Sequence, residues 1–190
     1  FFLSSIIIYN IFMTLEEIII LIARIIGSLL VFKWNFFGAI IAILVDFSDL
    51  FMMNLLHLGG VRNYQMFDKI IDLFYLIFFL IVTFKWTKKL RNISIFLFVL
   101  RIIGFVLFEI FNNRLILFIF PNVFEFWFLA IAYMKLFKYE ITTRKLVVIF
   151  MIVLILKLIH EYILHVWKVL DNYRAIDVLN NLLRFLNILD

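Results

Sequence analysis

The chain has no cysteine, one proline and only five glycines in 190 residues. Without cysteine it has no disulfide framework and no thiolate metal ligand, which leaves oxygen and imidazole as the donors for any metal. So little proline and glycine excludes long flexible linkers and leaves few positions that would interrupt a helix. Charge is scarce as well. Only 16% of residues are charged while 67% are hydrophobic, 26 of them Phe, and the mean hydropathy is +1.16. Soluble domains are about 25% charged, and a water-soluble fold of this composition would lack the polar residues to coat itself. The composition predicts an integral membrane protein. Its net charge of +5 falls largely in short loops between apolar runs, the pattern of membrane orientation and not of nucleic-acid binding.

What remains is apolar sequence punctuated by Ser, Asn, Gly and charge, and it reads as an all-α, polytopic transmembrane bundle of about six spans in a single domain. Phe1–Met13 is apolar but too short to cross, so it reads as an interfacial helix or a truncated segment. Thr14-Leu15-Glu16-Glu17 is a capping box that starts the first span, to about Phe32. The others are expected at Asn35–Met53, Met66–Phe84, Ser94–Phe111, Leu115–Tyr133 and Leu146–Trp167, with a short polar turn at His57–Gln65. Residues 168–190 alternate apolar and polar positions at helical spacing and suggest an amphipathic surface helix. One set of loops holds Lys33, Lys85, Lys88, Lys89, Arg91, Lys135, Lys138, Arg144 and Lys145. By the positive-inside rule that face is cytoplasmic or its equivalent. The membrane is expected to be a bacterial, archaeal or organellar inner one.

Against this background four carboxylates stand out. Asp46 and Asp49 are three residues apart, Asp68 and Asp72 four apart, so each pair lies on one face of its helix. Carboxylates at this depth cost about 2.5–3.5 kcal/mol each on insertion scales and need a cation, water or a partner. Arg62 and Lys69 are the only basic neighbours in sequence, so the cluster reads as net negative and as a site for Mg or Ca, which suit all-oxygen ligands. Deeper charges, Arg101, Glu125, Lys157 and Glu161, are expected to pair among themselves, Glu125 or Asp46 with Lys157 or Arg101. Pro121-Asn122 places a kink one turn before Glu125. His160 and His165 are five residues apart, not the four of a zinc-protease helix, whereas Lys157, Glu161 and His165 make a polar seam.

The carboxylates also carry a resemblance. Asp46-x-x-Asp49 and Asp68-x-x-x-Asp72 are similar to the signature of the CDP-alcohol phosphatidyltransferases, six-span lipid enzymes with Asp-x-x-Asp-Gly-x-x-Ala-Arg followed by Gly-x-x-x-Asp-x-x-x-Asp. Leu50, Met53, Asn54 and Tyr64 stand where that pattern has Gly, Ala, Arg and Gly, and the gap between the pairs is one residue longer. The resemblance implies Asp46, Asp49 and Asp68 as magnesium ligands and Asp72 as the catalytic base.

The sequence therefore suggests a non-catalytic membrane subunit, or a cation-binding or transport component, with a lipid-enzyme activity as the alternative. Its expected partners are the bilayer and either other membrane subunits or a second copy of the chain, and no nucleic acid.

Overall fold

The computed structural model describes residues 14–56, 64–113 and 115–163, with side chains except at 49–56 and 64–66. The expected N-terminal segment at Phe1–Met13, the turn at His57–Gln65 over most of its length, His165 and the amphipathic helix at 168–190 lie outside the described residues.

Every described element is helical. α1 (Leu15–Leu29) runs into a 3-10 turn (Leu30–Phe32), and is followed by α2 (Asn35–Leu56), α3 (Tyr64–Thr83), α4 (Lys88–Phe111), the short α5 (Leu115–Ile119), α6 (Val123–Leu136) and α7 (Thr143–Glu161). A helix falls on each of the six apolar segments read from the sequence. Two are long and apolar enough to cross a membrane by themselves: Lys88–Phe111, and Leu115–Leu136, which contains α5 and α6.

The ends of the helices follow local chemistry. At α1 the expected capping box forms: the Glu17 N–H donates to Thr14 Oγ1 at 3.2 Å and the Thr14 N–H to Glu17 Oε2 at 3.0 Å. Asn112 closes α4 in the left-handed region at φ 48°, where Asn is among the few residues tolerated, and its N–H reaches the Phe108 carbonyl at 2.7 Å. Pro121 has no N–H, and the long apolar segment divides there into α5 and α6.

Packing is close where side chains are small. A Cβ at Gly38 would fall on the backbone of Leu30 and Val31, so only glycine lets the start of α2 lie against the 3-10 turn. α1 then packs along both α2 and α3, and α6 meets α2, α3, α4 and α7.

The apolar core is aromatic. Phe79 stacks on Phe128 at 4.3 Å between centroids, Trp86 stacks on the other side of that contact at 5.1 Å from Phe128, and Trp127 is fully buried with its Nε1–H donated to Ser94 Oγ at 3.1 Å.

Outside this core the usual partition is inverted. Arg24, Asp72, Arg101, Glu125, Lys157 and Glu161 are all buried, while Ile26, Leu44, Phe96 and Ile110 are each more than 60% exposed. Buried charges beside many exposed large apolar side chains are uncommon in water-soluble domains.

Candidate functional site: two buried charge clusters

The first cluster is built around Arg24, the sole charged residue in the run from Ile18 to Phe32. Its guanidinium leaves α1 between α2 and α3 and reaches three carboxylates. Nη1 lies 2.7 Å from Asp46 Oδ1 and 3.0 Å from Asp72 Oδ1, and Nη2 lies 2.8 Å from Asp68 Oδ1. Nη2 also approaches the Asp46 carbonyl at 3.4 Å. A planar fork carries its five donors on three separate nitrogens and so reaches acceptors set apart from one another, whereas an ammonium carries its donors on one atom. The Asp68 and Asp72 side chains share a face of α3 because they are four residues apart, which is why one guanidinium meets both.

The remaining carboxylate oxygens look elsewhere. Asp68 Oδ2 takes Lys69 Nζ at 2.7 Å, and Asp72 Oδ2 faces Arg101 Nη2 of α4 at a looser 3.7 Å. Three carboxylates therefore meet three cations, Arg24, Lys69 and Arg101, and these six groups sum formally to zero. Arg24 and Arg101 are brought in from helices distant in sequence, which the basic neighbours Arg62 and Lys69 did not foretell. Arg101 pairs with Asp72, not with Glu125 or Asp46. Its buried Nη1 has no hydrogen-bond partner, and neither has Asp46 Oδ1, which meets Arg24 as an ion pair only.

Asp46, Asp68 and Asp72 each offer an oxygen within 4.8 Å of the others, a spacing that could surround an ion with ligand distances of about 2.3–2.6 Å. The same oxygens are the ones Arg24 engages. The side chain of Asp49 lies outside the described residues, so the fourth expected ligand is not placed.

The second cluster joins α6 and α7 at the helix break. Lys157 Nζ lies 3.2 Å from Glu125 Oε2 and 3.3 Å from Glu161 Oε1, the pairing expected from sequence. It also meets His160 Nδ1 at 3.2 Å and sits 4.8 Å from the centre of the Phe126 ring, a cation–π contact. Asn122 Nδ2 donates to Glu125 Oε2 at 3.1 Å, and the Asn122 backbone N–H donates to Glu161 Oε1 at 3.4 Å. Asn122 Oδ1 is buried with no partner, so this cluster carries a spare acceptor.

Arg24 was the residue that sequence reasoning passed over. The signal was present, a lone arginine in an apolar run, but nothing in the spacing of α1 connects it to aspartates more than twenty residues away. Comparison of the chain with family models, characterised proteins and solved structures found no match.

Proposed function

We propose that this chain is a multi-pass integral membrane protein of about six spans, a non-catalytic component of a cation-binding or transport system. The observation that carries this reading is the inverted partition, with Arg24, Asp72, Arg101, Glu125, Lys157 and Glu161 inside and Ile, Leu and Phe side chains facing outward. Buried ionisable groups in a bilayer face the bundle interior, pair with one another and mark ion pathways. The carboxylates here are held by internal cations, as buried carboxylates in a bilayer must be by some cation. The basic loops at Lys85–Arg91 and Lys135–Lys145 orient the bundle with that face inward.

The test uses the absence of native cysteine. Single cysteines at Lys88 and at Asn113, at opposite ends of α4, are probed with a membrane-impermeant maleimide in sealed vesicles, and the purified chain is assayed for saturable binding of sodium, potassium, magnesium and calcium. Labelling of one position only, with saturable binding of at least one cation, is expected. A chain that purifies without detergent, or that binds none of the four, overturns the reading.

The convergence of Asp46, Asp68 and Asp72 favours a second reading, a magnesium-dependent lipid transferase, since these are three of the four carboxylates in the resemblance. Magnesium would be held by those oxygens and would neutralise a pyrophosphate. The residues fit it poorly while Arg24 engages the same three oxygens. Magnesium-dependent transfer from a CDP-linked lipid to a free alcohol would favour the transferase over the transport component.

A further inference from the structure

The helix break at Pro121 diverts backbone groups from the helical ladder. Pro121 has no N–H to give the Leu117 carbonyl, the Asn122 N–H turns to Glu161 at 3.4 Å, and the Val123 N–H turns back to the Pro121 carbonyl at 2.7 Å. Three rungs of the helical ladder are thereby diverted from the carbonyls of residues 117 to 119, at the end of α5 where the partial charge is negative. At the facing end of α6 the positive pole is already answered by Glu125 in the first turn.

Asn122 makes the deficit specific. It is 3% exposed, and its Oδ1 is a buried acceptor without a donor. Rotating the amide does not relieve this, because it would set the oxygen against Glu125 Oε2, which now takes the Nδ2–H at 3.1 Å. Glu125 Oε2 is also 3.2 Å from Lys157 Nζ, so the ammonium is committed to the carboxylates. An orphaned buried acceptor costs about 1–3 kcal/mol, which selects for a species that brings positive charge or a donor.

We propose that this break binds one small monovalent cation of the sodium class, on Asn122 Oδ1 and the Glu125 carboxylate, with Lys157 as its neighbour. All the donor atoms are hard oxygens, which suits an alkali cation and not a soft metal. A divalent ion would meet the Lys157 ammonium at close range, and a single charge meets less repulsion. Broken membrane helices that coordinate sodium through unwound carbonyls use the same physics. The inference rests on the cation-binding reading above and places the ion at the break, away from the Asp46, Asp68 and Asp72 cluster.

The full chain in detergent is titrated with sodium chloride against choline chloride at constant ionic strength, reading thermal stability and binding of radioactive sodium. Saturable stabilisation by sodium and not choline is expected. Asn122→Leu and Glu125→Gln should weaken sodium binding by at least about tenfold, the loss seen even for outer-shell partners of a metal site. Asn122→Asp keeps an oxygen in place and should retain binding, which covers the case in which the leucine variant fails to fold. Ser94→Ala, in the aromatic core, should leave sodium affinity unchanged. Identical curves in sodium and choline would mean that water serves the orphaned oxygen, and would overturn the proposal. Saturable sodium binding that survives Asn122→Leu overturns this site and leaves the wider reading standing, whereas no saturable binding of any cation overturns both.

Discussion

Arg24 and Lys157 are both buried cations shared by carboxylates, yet they leave different remainders. Arg24 distributes its fork over Asp46, Asp68 and Asp72 from two other helices, and the atoms left without a hydrogen bond include a donor, Arg101 Nη1, and an acceptor, Asp46 Oδ1, that already lies 2.7 Å from the guanidinium. Lys157 is a point charge between Glu125 and Glu161, and the local surplus is an acceptor, Asn122 Oδ1. Geometry explains the difference. A guanidinium satisfies several acceptors in one plane, and an ammonium beside a broken helix adds no donors to the carbonyls that the break releases. The comparison teaches that the number of carboxylates in a cluster does not by itself set what the cluster has left to offer a ligand. What matters is which polar atoms are left over after internal pairing.

The comparison breaks most severely at Arg24. Arg24→Met would leave three carboxylates without their shared partner, and removing one member of a buried pair typically costs about 3–5 kcal/mol. The expected outcome is a chain that fails to fold or melts far below wild type in detergent, and an unchanged melting temperature would mean that the guanidinium is not the hub. Arg24→Lys should recover only part of the loss, since one ammonium cannot span the same three oxygens.

Lys157→Met should cost less, at about 3 kcal/mol, because two carboxylates lose a partner instead of three. Combining it with Glu125→Gln removes both members of one pair, and the double variant should melt above the sum of the single losses, with a coupling of about 0.5–3 kcal/mol. Strict additivity would show that Lys157 and Glu125 are not coupled.

The smallest effect calibrates the other two. Ser94→Ala takes the acceptor from Trp127 Nε1 in the aromatic core, and the orphaned neutral donor should cost about 1–3 kcal/mol. If this loss equals that of Arg24→Met, the charge clusters contribute no more than an ordinary buried hydrogen bond.

Much of this was legible in the chain. The capping box at Thr14 and Glu17, the break at Pro121 and the Lys157–Glu161 pair depend on residues within about one helical turn of each other, where spacing alone sets geometry. The Lys157–Glu125 contact was legible as a need, since a buried ammonium requires a partner, and few carboxylates lay at its depth. The Asp46, Asp68 and Asp72 cluster was legible as a set of carboxylates, but not the cations from α1 and α4 that meet it.

Sequence by itself determined the helical class, the apolar segments and the scarcity of charge, because these follow from composition and from a period of about 3.6 residues. Tertiary structure alone decided that Arg24 fills the Asp cluster, that Arg101 turns to Asp72, and that Asn122 Oδ1 is left without a donor. Those outcomes depend on which helix faces meet, and the direction of a long side chain across an interface is set by packing at sites such as Gly38 and not by any local pattern.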